Sequence, residues 1–216
     1  MISKALFLKP LAAAALLAVA GASQATITVY TVPAAFAAAT AAPGVDTYTG
    51  FNIVGSTPSP IFRSAGAYNY TASVTTTSFF GAGTTANPWL STNTATDAIT
   101  FNGFSGGVQA IGGNFFGSDI SGLFAAGDII LTATDASGSV TQTIVGATTS
   151  SFVGFVSTGL MTSLVVSSVQ PAAGALWPTV DNLTLAVSAA VPEPGTYALM
   201  AAGLGLLGFM ARRRRV

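Results

Sequence analysis

Hydrophobic and polar positions alternate most regularly near the middle of the chain. Ile129, Leu131 and Ala133 interleave with polar neighbours, and Val140, Gln142 and Ile144 interleave with threonines. Between them lies Asp135-Ala136-Ser137-Gly138, a run of turn formers. A period of two on both sides of such a turn predicts a β-hairpin with one buried and one solvated face. Runs rich in β-branched and aromatic residues predict further strands over 45–53, 68–78, 98–102, 109–116, 151–156, 162–169 and 180–187, with the hairpin itself at 128–134 and 139–145. One short helix is expected at 33–41, with Pro33 at its first position and Pro43-Gly44 ending it. Many short strands without intervening helices predict an all-β fold, an antiparallel β-sandwich of jelly-roll-like form with one short N-terminal helix.

The two ends break this pattern. In residues 1–25, Lys4 and Lys9 precede an unbroken apolar run of about ten residues, and Ser23-Gln24-Ala25 follows. This is the order of a cleavable signal peptide, with cleavage expected after Ala25. A run of about ten residues at 1.5 Å each is too short for a hydrocarbon core of roughly 30 Å. At the other end Val191-Pro192-Glu193-Pro194 is followed by an apolar run over 197–211 and then by Arg212, Arg213, Arg214 and Arg215. The prolines predict extended backbone before a C-terminal transmembrane helix, and the arginines act as a stop-transfer cluster that stays cytoplasmic. The span is short, about 22 Å if helical. The domains are then 1–25 signal peptide, 26–190 extracytoplasmic β-sandwich and 191–216 tail.

The tail resembles the PEP-CTERM sorting signal, on Val191-Pro192-Glu193-Pro194, the apolar helix and the four arginines. That resemblance implies recognition and cutting near the motif by an exosortase, a membrane-embedded transpeptidase, in a Gram-negative bacterium that makes exopolysaccharide. The segments at 110–117, 152–155 and 179–185 look like a domain that many PEP-CTERM proteins carry. The last is also similar to the closing strand of carbohydrate-binding jelly rolls.

Charge narrows the function. The chain has 7 basic and 7 acidic residues and only 6% charged residues overall. Apart from Lys4, Lys9 and the terminal arginines, Arg63 is the sole basic side chain, set among Asp46, Asp97, Asp119, Asp128, Asp135 and Asp181. A mildly acidic domain has the wrong sign for phosphates, so no nucleic acid is expected as partner. With no Cys and no His, thiolate, Ser-His-Asp and Cys-zinc chemistry is excluded. A two-aspartate polysaccharide hydrolase remains conceivable, since a carboxylate pair suffices for acid and base roles. No spacing singles out a pair, and Asp97 and Asp135 read as turn residues.

No cofactor is expected, calcium being the one candidate, because Asp, Asn and carbonyl oxygens are the only ligand chemistry present. Asp46 and Asp181, on the expected first and last long strands, are the candidate ligands. Trp89, Trp177, Tyr68 and Tyr70 are candidate sugar-stacking platforms. Phe115 and Phe116 read as one core and one rim residue, and Trp177 before Pro178 as a cap on the sandwich. The expected function is a noncatalytic exported surface or extracellular-matrix protein, associated with exopolysaccharide or biofilm. Its partners are exosortase, the inner membrane and the polysaccharide. The alternatives are the hydrolase and an anchored envelope protein that makes protein contacts.

Overall fold

The computed structural model describes residues 26–76, 78–189 and 194–213. The signal-peptide reading with cleavage after Ala25, the motif residues Val191, Pro192 and Glu193, and Arg214 and Arg215 lie outside the described residues.

Fifteen strands and two helices follow in order: β1 (Ile27–Tyr30), α1 (Pro33–Ala38), β2 (Thr40–Asp46), β3 (Ser56–Pro58), β4 (Ile61–Ala65), β5 (Tyr68–Val74), β6 (Ser78–Thr84), β7 (Asn87–Thr92), β8 (Ile99–Asn102), β9 (Ala110–Ser118), β10 (Phe124–Ala125), β11 (Gly127–Asp135), β12 (Gly138–Ala147), β13 (Phe152–Ser157), β14 (Met161–Ser168), β15 (Trp177–Ser188) and α2 (Pro194–Arg213). A nine-stranded sheet runs β1-β13-β9-β15-β7-β6-β3, with β2 also on β15 and β10 on β9, and a six-stranded sheet runs β12-β11-β14-β8-β5-β4. Every pairing is antiparallel. From β8 onward the chain crosses repeatedly between the sheets, as in a jelly roll, while β4-β5, β6-β7 and β11-β12 stay together as hairpins. The all-β expectation holds.

The core between the sheets follows the period of two. Leu131 and Ala133 of β11, Leu164 and Val166 of β14, and Ile99 and Phe101 of β8 face Ile111 and Phe115 of β9, Val153 and Phe155 of β13, and Leu183 and Leu185 of β15. On the far side of the nine-stranded sheet, α1 lays Phe36 over Ala110, Val156 and Ala186. This contact needs glycine. Gly112 and Gly154 are register partners on β9 and β13, and a Cβ on Gly154 would stand 2.2 Å from the Phe36 ring.

Several expected boundaries shift. The helix ends at Ala38 rather than 41, and Pro43-Gly44 lies inside β2, which tolerates proline because it bonds only to β15. Gly44 is required there, since a Cβ would come within 2.1 Å of the Ala65 carbonyl oxygen. The strand expected at 45–53 ends at Asp46, where Tyr48 takes φ 53° and turns the chain away. The run at 68–78 divides into β5 and β6, which belong to different sheets. Strands β1, β3, β4, β6, β7 and β10 are additional to the expected set. Gly81, Gly83 and Pro88 are of types that usually interrupt strands, yet they lie within β6 and β7, and Gly81 allows the Asn52 carbonyl to approach within 1.7 Å of where its Cβ would be.

Candidate functional site

The aspartates were the candidates for catalysis and for metal binding, and the fold separates them. Asp46, at the end of β2, is 5% exposed and accepts four hydrogen bonds. The backbone N–H of Tyr48 and Arg63 Nη2 donate to Oδ1, at 2.8 and 2.7 Å, and Arg63 Nε and the Tyr70 hydroxyl donate to Oδ2, both at 2.7 Å. Arg63 thus grips the carboxylate with both prongs of its fork, the geometry in which guanidinium binds most firmly. Its charged group also lies 5.2 Å from the Tyr48 ring and 5.8 Å from the Phe51 ring.

Burial, followed by the charge and hydrogen bonding of Asp46, holds the Tyr70 hydroxyl well above the usual phenol range. Tyr48 is raised chiefly by burial. The positive charge that a calcium ion would bring to Asp46 is supplied by Arg63. The cluster joins β2 of the nine-stranded sheet to β4 and β5 of the six-stranded one.

Asp135 closes the β11-β12 hairpin. Its Oδ1 accepts from the N–H and Oγ of Ser137 and the N–H of Gly138, and its Oδ2 from Ser157 Oγ at 2.5 Å. Burial would raise its pKa, but the Ser137, Ser157 and Gly138 bonds outweigh burial and lower it. Asp97 accepts from the Thr76 N–H and hydroxyl, Asp119 from the N–H groups of Ser121 and Leu123, and Asp128 from the Gly146 N–H.

Asp181 differs. On the outer face of the nine-stranded sheet, its Oδ2 accepts one long bond from Asn87 Nδ2 at 3.4 Å, while its buried Oδ1 has no partner among the described residues. Burial pushes its pKa up. Asn114 is its register partner on β9 and bonds Asn182 at 3.4 Å. These oxygens suit a hard cation in type, yet among the described residues no three His, Cys, Asp or Glu side chains gather to hold one. Among the described residues no two of the six aspartates share a hydrogen-bond partner.

The four aromatic candidates also part company. Tyr68 and Tyr70 are 5% and 2% exposed, committed to Ala42 O and Asp46, and so offer no platform. Both tyrosines point inward on β5, whose alternation buries residues 68, 70 and 72. Trp89 and Trp177 are half-buried, and Trp89 meets Phe116 edge to face at 4.8 Å. Phe116 is fully buried like Phe115, not a rim residue, because Trp89 and Phe124 cover it.

The tail is helical from Pro194, earlier than the expected start at 197, so this proline opens the helix instead of standing before it. Arg212 and Arg213 fall in the last helical turn. The described side chains are apolar on all sides and exposed, including Leu199, Met200, Leu204, Leu206, Leu207, Phe209 and Met210. Four glycines and the polar ends dilute this apolarity, and among the described residues no helix is long and apolar enough to cross a membrane. The expected membrane-spanning helix is therefore not shown.

A family model described as the PEP-CTERM protein-sorting motif matches residues 190–215. No curated protein and no solved structure matches the chain. The motif, apolar helix and arginines identify a PEP-CTERM sorting domain-containing protein, one that exosortase sorts to the cell surface.

Proposed function

We propose that the sandwich is a noncatalytic surface or extracellular-matrix module that associates with exopolysaccharide in a biofilm. In this reading a cleaved signal peptide exports it, and α2 holds it briefly at the inner membrane before exosortase cuts the tail. The observation that carries the noncatalytic reading is the use made of the carboxylates. Asp46, Asp97, Asp119, Asp128 and Asp135 all accept hydrogen bonds that fix turns or join strands. A hydrolase needs two facing carboxyl groups with different proton affinities, and these groups serve separate parts of the fold. The reading needs no cofactor, and of the two aspartates considered for calcium only Asp181 keeps an unpartnered oxygen.

An apolar helix with all its described side chains exposed supports membrane association, since apolar area gains from leaving water. The shortness of its apolar run, residues 197–211, supports a temporary anchor over a permanent one. Incubating the processed protein with neutral and acidic polysaccharides tests both halves of the proposal. Retention without depolymerisation is expected. Depolymerisation abolished by one Asp→Asn change would replace this reading with the hydrolase.

A further inference from the structure

The outer face of the six-stranded sheet is built from register partners that line up across every strand. Ser139 on β12 stands opposite Thr134 on β11, Thr134 opposite Ser163 on β14, Ser163 opposite Asn102 on β8, Asn102 opposite Thr71 on β5, and Thr71 opposite Phe62 on β4. The row crosses six strands and, at a spacing of about 4.8 Å, is about 24 Å long. A second row two residues along, about 6.8 Å away, continues it with Thr141, Thr132, Val165, Thr100 and Ser73. Neither row holds a charged side chain.

The hydroxyls hold fixed positions on this face. Thr134 and Ser139 approach to 2.8 Å and Thr132 and Thr141 to 3.0 Å, each pair keeping lone pairs for an outside donor. At the β4 end Phe62 is 80% exposed, and a shallow open depression of about 280 Å³ lies beside it, bordered by Ser64, Asn69, Thr71 and Gly103. Arg63 also borders the depression, but its charge is held by Asp46.

We infer that this row binds a neutral polysaccharide chain laid across the strands, with a sugar ring stacked on Phe62. The inference rests on the polysaccharide-associated reading above and assigns it a surface. Charge supports this occupant: an uncharged row of donors and acceptors offers no countercharge to an acidic polymer or to phosphate. A protein partner would bury the hydroxyls and amides, and each would then need its own complementary group. A glycan supplies hydroxyls repeatedly along an extended chain, and its C–H ring face suits an aromatic side chain.

Affinity electrophoresis of the processed protein tests this, with hydroxyethyl cellulose and dextran as neutral probes, alginate as the acidic one, and the producing strain's own exopolysaccharide. Phe62→Ala and Asn102→Ala are expected to weaken retardation by a neutral polymer at least tenfold while melting with wild type. Ile120→Ala, in the exposed turn between β9 and β10 of the other sheet, is expected to change nothing. If wild type is retarded and both face variants match it, the row is not the site, although the wider reading survives. If alginate alone retards the protein, the neutral class is overturned. If no polysaccharide retards wild type, both proposals fall. If the protein self-associates and Phe62→Ala abolishes it, the face is a contact between copies and the glycan inference is overturned.

Discussion

Removing the guanidinium that grips Asp46 should reveal what holds the two sheets in register at one end of the sandwich. Arg63→Met keeps most of the side chain's length but leaves the 5% exposed Asp46 carboxylate with only the Tyr70 hydroxyl and the Tyr48 N–H. Breaking a buried ion pair by removing one partner costs about 3–5 kcal/mol. Arg63 is itself 20% exposed, so water partly replaces it and the lower end, about 3 kcal/mol, is expected. For a domain of this size that lowers Tm by about 6–12 °C.

The double variant Asp46→Asn with Arg63→Met should recover part of the loss, because no charge is then stranded. Urea unfolding of the mature protein, followed by tryptophan fluorescence, measures all three. Should Arg63→Met lose less than about 0.5 kcal/mol, or should the two changes simply add, the cluster is not the clamp described here.

Asp181 carries a pH signature. Its folded-state pKa is raised by burial, so its stabilising contribution is full below the unfolded carboxylate range and is lost as pH rises through the folded value. Asp181→Asn should therefore gain about 1 kcal/mol at pH 7 and little at pH 3, read by melting at both pH values; equal effects at the two would refute the burial argument. Asp135 has the opposite sign, its lowered pKa giving stability that is present at neutral pH and lost on acidification through the folded value, so Asp135→Asn should flatten the acid limb of the stability profile. Gly154→Ala would drive a Cβ into the Phe36 ring and should cost about 1–3 kcal/mol, with Phe36→Ala relieving much of the added penalty; additive losses in urea melts would contradict the close approach.

Apart from the two-residue β10, the strands from β8 onward were legible because they are rich in β-branched and aromatic residues and turn residues separate them, as at Asp135 to Gly138. Strands β6 and β7 were not, since Gly81, Gly83 and Pro88 are of types that usually interrupt strands, while here Gly81 admits the Asn52 backbone and Gly83 lies against Trp89. Asp46 was singled out as a calcium ligand, but its partner Arg63 lies 17 residues away, and only the β2 to β4 approach brings them together. The chain's sole basic residue between its ends, set on an alternating strand, was the one available signal. Tyr70 looked like a platform because composition does not reveal which face of a strand turns inward. The hydroxyl row crosses six strands, so it emerges only once register is known.

Sorting by exosortase is the central claim, and the mass of the mature protein tests it most directly. Express the chain in a host that has an exosortase and in the same host with that enzyme deleted, then measure intact mass. The account predicts that Arg212, Arg213, Arg214 and Arg215 are lost, with the α2 segment, only where exosortase is present. Retention of all four arginines in both hosts would contradict it.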